Sequence, residues 1–238
     1  MPGSQALTRS VLADQVKERL LESILDGTLP PDSRIVETAI AKELGTSQAP
    51  VREAIRGLEA LGIVEITPFR GARVRRLDSE ELLGAYVVRS AIEVLAARLS
   101  VPRMTDEDIS AMQQIGRDLQ EAAHRDDRRA VAEVDASLHE RLVALSGNPT
   151  LVRVWRSLEP LSRTYITLAG PGGDAQWSAD LHDPILEAVS RRDVDGVVRA
   201  IESHFDEVRS WLATHLAETG DTAEAGDGAD PGRRPGTP

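Results

Sequence analysis

Residues 34–64, RIVETAIAKELGTSQAPVREAIRGLEALGIV, decide the fold. Ile35, Ile40, Leu44, Val51, Ile55, Leu58 and Leu61 recur at steps of three and four, the spacing that aligns one apolar face of an amphipathic helix. The stripe breaks at Gly45-Thr46-Ser47. Gly supplies a sharp turn, and Thr46 or Ser47 can accept backbone N–H bonds as the N-cap of the next helix. Pro50 stands in that helix's first turn, where its missing N–H leaves no bond unmade. The segment predicts a helix, a turn of about four residues and a second helix, the helix-turn-helix layout.

The second helix carries Ser47, Gln48, Ala49, Arg52 and Arg56 on the side away from Val51, Ile55 and Leu58. Small and polar residues at a helix N-terminus, with Arg one turn on, suit entry into a DNA major groove. There Gln pairs with adenine and Arg with guanine or phosphate. Beyond Gly62, Ile63–Ile66 reads as a short strand, Thr67-Pro68-Phe69-Arg70-Gly71 as a turn, and Ala72–Arg75 as a returning strand. This hairpin is a wing with a basic tip, in which Arg70, Gly71 and Arg73 are expected at phosphates or the minor groove. A plain three-helix domain would share the turn but not the wing.

Working outward, residues 1–8 are polar and expected to be flexible, and Val11, Val16, Leu20, Ile24 and Leu25 mark a first helix from Ser10 to Leu25. Residues 9–76 thus form one unit. Residues 77–217 show only helical periodicity, with no strand alternation, and divide into six expected helices. These begin near Asp78, Thr105, Asp126, Asn148, Gln176 and Val194, and Asn148 reads as a helix cap. The first carries the stripe Leu82, Tyr86, Ile92, Leu95 and Leu99. The fifth spans about Gln176 to Arg192, and the sixth ends near Leu216. Residues 218–238 are rich in Gly, Pro and Asp without apolar periodicity, and are expected to be disordered. The fold class is mainly α: a winged helix-turn-helix followed by an all-α six-helix bundle.

The net charge of −11 argues only superficially against nucleic acid, because the charges are unevenly placed. Residues 1–76 hold 11 Lys and Arg against 10 Asp and Glu, and residues 47–76 hold six Arg against three Glu. A locally basic face on an acidic protein still binds phosphate, while the acidic bulk disfavours indiscriminate binding. No apolar run long enough for a membrane span occurs, the N-terminus lacks an apolar signal region, and the absence of Cys excludes disulfides and thiolate metal sites. A cytoplasmic protein is expected.

Asp135 and His139, four residues apart, share one face of the third expected helix; His182 lies on the fifth and His204 on the sixth. Each His has apolar neighbours at helical spacing, which places it at or inside the bundle core. Three imidazoles and a carboxylate suit a divalent Zn, Ni, Mn or Fe ion better than Ca or Mg. On spacing alone, scattered His in a bundle are more often hydrogen-bonded core or surface residues. His124 and His215 lie near helix ends and read as solvated, and Trp155 and Trp177 read as packing residues. Arg89 either holds a carboxylate in a pocket or pairs with Glu93 one turn on, and Arg163 is a second candidate for effector contact.

Residues 9–76 resemble the winged helix of GntR-type bacterial transcription regulators. Ile24, Gly27, Leu29, Pro31, Ile35 and Glu37 meet the first half of the family pattern; Ser47, Pro50, Val51, Arg52, Glu53, Ala54 and Ile55 meet the second. Asp32 stands where Gly is usual and Gln48 where Arg is common, the latter bearing on base preference. Residues 80–216 resemble the FCD ligand-binding domain of the FadR-type subgroup, and six helices suggest its VanR-like branch. The resemblance implies a metal, Zn first, at Asp135, His139, His182 and His204, with a small organic acid as effector. It also implies a homodimer on a near-palindromic operator, and repression released by the acid.

Enzyme motifs are missing. His139-Glu140 begins like a zinc-protease H-E-x-x-H, but Val143 stands at the second ligand position. No G-x-S-x-G elbow occurs, and no strand precedes the Gly-rich stretch at 170–174. A metal-dependent hydrolase in the helical domain is the alternative, and it would need an open metal position beside a poised base.

Overall fold

The computed structural model describes the backbone of residues 4–76, 79–168 and 174–224, with side chains for 11–76, 80–160 and 174–214. Helix α1 (Ser4–Leu25) starts six residues before the expected Ser10, within the segment expected to be flexible. Strand β1 (Arg34–Ile35), helices α2 (Glu37–Glu43) and α3 (Gln48–Ala60), and strands β2 (Val64–Thr67) and β3 (Gly71–Val74) complete the first unit. Arg34 and Ile35 thus form a strand rather than the start of a helix. They pair antiparallel with Arg73 and Ala72, and the sheet order is β1-β3-β2. Ile35 is buried all the same, because one face of this small sheet covers the core of Leu20, Ile24, Val51, Ile55 and Leu58.

The break between α2 and α3 has a specific cause. Gly45 sits at φ 63°, a left-handed conformation that only Gly adopts without steric cost. The Thr46 amide donates back to the Ala41 carbonyl at 2.9 Å and closes the helix end. Ser47 is the N-cap residue of α3 by position, but its side chain makes no capping bond.

The second unit consists of α4 (Ser79–Ser100), a 3-10 turn (Val101–Arg103), α5 (Asp106–His124), α6 (Arg128–Leu145), α7 (Pro149–Leu168), α8 (Ala175–Asp180), α9 (Asp183–Ser190) and α10 (Val194–Glu224). Thr105 opens α5 with a reciprocal capping box to Asp108, and the Asn148 side chain caps α7 by accepting from Thr150 and Leu151. The expected fifth helix is two. Pro184 cannot donate to an upstream carbonyl and its ring would clash with one, so the helix stops at Asp180 and restarts at Asp183. His182 occupies the junction. Helix α10 runs to Glu224, into the stretch expected to be disordered; the rest of that stretch, like residues 169–173, lies outside the described residues.

Helix α4 is the axis of this unit, packed against α6, α7 and α10. Its buried face differs from the expected stripe. Leu82 and Tyr86 are buried, but below them come Arg89, Glu93, Ala96, Ala97 and Ser100, while Leu95 is 46% exposed. Two charged residues thus take core positions on α4, where each must be paired.

Candidate metal centre and nucleic-acid interface

Four helices and the α8–α9 junction converge on one buried polar cluster. Helix α6 supplies Asp135 and His139, the junction His182, α10 His204, α4 Arg89 and Glu93, and α7 Trp155. The four residues expected as metal ligands are all buried and stand together. His139 Nε2 and His182 Nε2 are 3.2 Å apart, and Asp135 Oδ1 lies 2.9 Å from His182 Nε2 and 4.0 Å from His139 Nε2. The three imidazoles each offer a nitrogen within 4.8 Å of the others.

What orients these rings is as informative as their proximity. His139 Nδ1 donates to the Glu93 carboxylate, and His182 Nδ1 donates to the Ser178 carbonyl at 3.0 Å. Both bonds turn Nε2 inward to the same point, which is how outer partners set a ligating His. His204 Nδ1 is buried without a hydrogen-bond partner, an atom the fold leaves unsatisfied. Two nitrogens each about 2.1 Å from one ion stand roughly 3 Å apart, so the His139–His182 spacing, the carboxylate and the orphaned imidazole atom suit a divalent metal.

The electrostatics agree. Burial raises the Asp135 carboxyl, but the His182 hydrogen bond and the charges of His182, His139 and Arg89 outweigh it and hold the group well below its ordinary range. Glu93 is lowered too: burial opposes, while His139 and Arg89 win. Burial and the neighbouring histidines hold His204 well below its usual value, so it is neutral and its lone pair is available. Burial lowers His182, but the Asp135 hydrogen bond raises it further. Metal ligation by its Nε2 would release that proton.

Arg89 takes one of its two expected roles, the pairing with Glu93. Its Nε donates to Glu93 Oε1 at 2.9 Å, and its guanidinium lies over the rings of Trp155 and Phe205, 5.3 and 5.6 Å from their centres. Its Nη2 is buried with no hydrogen-bond partner, a donor left unsatisfied. Arg163 lies on α7, but its side chain is outside the described residues. Trp155 is more than packing: its indole N–H donates to Glu93 Oε1 at 2.7 Å. Glu93 thereby gathers Arg89, His139 and Trp155. Its place four residues after Arg89 was the one sequence signal for this role. His124 is exposed, with Nδ1 on the Gln120 carbonyl, and His215's side chain is outside the described residues.

On the winged helix, Ser47, Gln48, Arg52 and Arg56 lie exposed along α3 and Ala49 is half-buried, while Pro50, Val51, Ala54, Ile55 and Leu58 face the core. Arg70, Gly71 and Arg73 are exposed on the wing. Two features were not foreseen. Arg52 donates through Nε and Nη2 to Glu37 Oε2, at 3.1 and 2.9 Å, so its fork is already held by α2. Arg34 stands opposite Arg73 across the β1–β3 pair, its guanidinium over Gly71, and adds a cation to the wing. Asp32, in the place where Gly is usual, takes φ 68°; its carbonyl accepts from Arg73 and its carboxylate pairs with Arg76.

A winged helix joined to a helical bundle with a buried cluster of side chains that could hold a metal is the architecture of a DNA-binding regulator with a ligand-binding domain. Comparison with known proteins places the chain further. The model for bacterial regulatory proteins of the gntR family matches residues 12–74, and the FCD domain model matches residues 84–207. A probable D-xylose utilization operon transcriptional repressor of Paenarthrobacter nicotinovorans is 34% identical, covering 84% of this chain and 88% of that protein. The gluconate operon transcriptional repressor of Bacillus licheniformis is 22% identical over 90% of this chain and 92% of its own length. Among solved structures, McbR of Escherichia coli superposes with a TM-score of 0.77 at 21% identity, covering 86% of this chain and 98% of that one.

The chain belongs to the gntR family, in the group that carries an FCD domain. It is a DNA-binding transcriptional regulator and not an enzyme; the hydrolase alternative finds no support. Among the described residues no helix is long and apolar enough to cross a membrane.

Proposed function

We propose that the protein is a cytoplasmic homodimeric repressor whose operator affinity is set by a small organic acid bound at a divalent metal. Asp135, His139, His182 and His204 would hold the ion, Zn first and Ni, Mn or Fe otherwise. The ion would supply open coordination positions for the acid's oxygens. Arg89 Nη2 would receive the acid's carboxylate. The observation that carries this reading is the meeting of four ligating side chains with a buried guanidinium that still has a donor to give. Ser47, Gln48, Ala49 and Arg52 would read bases, and Arg56, Arg70, Gly71 and Arg73 would lie along phosphates or the minor groove. Residues 9–76 act as the DNA-binding domain and 77–217 as the effector and dimerisation domain in this reading.

A second copy is supported by α4, which leaves Val87, Val88, Ala91 and Leu95 exposed on the face opposite Arg89 and Glu93. Two copies would present two recognition helices to a near-palindromic site. The test is fluorescence anisotropy on DNA upstream of the protein's own gene at about 0.15 M salt, where non-specific binding is weak. Organic acids are titrated in before and after chelation. Binding that resists competitor DNA, and that one acid shifts only when metal is present, is expected. An acid response indifferent to chelation would sink the metal-linked reading.

A further inference from the structure

The wing ends in Phe69, which is fully exposed: its relative accessibility is 108%, the highest of any large apolar side chain described. The backbone there is as unusual as the side chain. Arg70 N donates to Thr67 O at 3.0 Å, closing a four-residue turn with Pro68 second and Phe69 third, at φ 64°. A turn with Pro second and positive φ third is one that Gly or Asn ordinarily fills. For a bulky side chain, positive φ is a genuine outlier, and such strain concentrates at functional sites. Nothing in the fold repays Phe69, because its ring faces solvent.

The frame that holds it is firm. Residues Val64–Thr67 pair with Gly71–Val74 in register, β1 flanks β3, and Ile35, Val64, Ala72 and Val74 anchor this sheet in the core. The surroundings are cationic: Arg70 follows directly, Arg73 lies two residues beyond Gly71, and Arg34 crosses the strand pair to cover Gly71. A fixed aromatic tip between arginines fits a polyanion with stacked, separable rings. Proteins that bind the minor groove use apolar side chains in this way, as wedges that partly unstack a base step and kink the duplex.

We propose that Phe69 is a wedge residue that enters the minor groove beside the recognition helix's site and partly unstacks one base step. It thereby selects for a deformable pyrimidine–purine step at a position that α3 does not read. The proposal rests on DNA binding by the winged helix. It assigns the wing a part in sequence choice beyond phosphate contact.

The test uses the full chain and duplexes that the wild-type protein selects from a random library. Phe69→Gly suits the turn's backbone better than the native residue, so loss of folding does not confound it. It is expected to weaken binding to the selected duplex roughly tenfold or more, the scale of losing one aromatic–base stack. The salt dependence should stay unchanged, because no phosphate contact is removed. Phe69→Trp should retain most of the affinity. With 2-aminopurine placed at successive steps of the flank, wild-type protein should brighten one step and Phe69→Gly none. Undiminished binding by Phe69→Gly would overturn the wedge, and so would weakened binding with no brightened step in the wild-type complex. Wild-type protein that enriches no sequence would overturn the DNA reading itself, a result distinct from either.

Discussion

Three donors converge on Glu93, a residue with no exposed surface: Arg89 Nε, His139 Nδ1 and Trp155 Nε1. A buried carboxylate is costly unless fully paired, and this one is. The arrangement makes Glu93 the residue that turns His139 toward the centre. Glu93→Gln should lower metal affinity by about 10–100-fold, the usual effect of losing an outer partner of a ligating His. Competition with a chelator of known affinity reads this, with the melting temperature followed alongside. Unchanged metal affinity in a folded variant would remove Glu93 from that role. On the DNA side, Glu37 occupies the Arg52 fork with a carboxylate where a base edge or phosphate would bind. The pair is largely exposed and adds little to stability. Glu37→Gln should therefore leave the melting temperature nearly unchanged, raise affinity for random-sequence DNA and narrow the specific-to-random ratio. A constant ratio would show that Glu37 has no part in selectivity.

At the scale of elements, the junction of α8 and α9 decides whether His182 reaches the centre. Helical spacing runs through Gln176–Arg192 without a break in apolar period, and only Pro184 enforces the interruption. The break leaves His182 beside a helix end, where its N-terminal neighbour turn supplies the Ser178 carbonyl that holds Nδ1. Pro184→Ala permits a continuous helix and relieves a barrier of about 3 kcal/mol to helix continuation. It should raise helical ellipticity slightly and weaken metal binding, while DNA binding by the free protein survives. Retained metal affinity together with increased ellipticity would mean that packing against α5 and α10, rather than Pro184, sets the junction.

At the scale of the molecule, the two units are joined through the same helices that build the site. Arg75, at the end of the wing, donates through both Nη atoms to Glu81 of α4 at 2.9 and 2.6 Å. Glu81 precedes Arg89 by eight residues, about 12 Å along the helix. Between them Ala85 joins the winged-helix core. On the other side, α6 carries Asp135 and His139 and also Arg129, Ala132 and Glu133. Those three face Leu21, Leu25 and Glu22 of α1 across a cavity of about 340 Å³. Movement at the site would reach the winged helix through the α4 ion pair and the cavity-lined joint at α6. An effector shifts such a balance only by binding one arrangement better than the other. Glu81→Gln should keep both metal and operator binding while reducing the shift in operator affinity that the acid causes. An undiminished shift would place the coupling elsewhere.

The sequence by itself determined the winged helix, its polar outward face on α3 and the helical character of the second unit, and it marked Asp135, His139, His182 and His204 as candidate ligands. Each is written locally: in the Gly45 turn, in three- and four-residue periods, in caps such as Thr105 and Asn148, and in a four-residue Asp–His spacing. Tertiary structure decided what depends on neighbours distant in the chain. Arg34–Ile35 became a strand because β3 lies beside it. Arg89 and Glu93 entered the core, displacing Leu95 from the expected stripe, because His139 and Trp155 arrive there from other helices. Glu37 met Arg52 only once α2 and α3 had packed. A periodic pattern states which face of a helix is apolar. It does not state which buried charge will find its partners, since the pairing energy that offsets desolvation comes from residues 46 and 62 positions away.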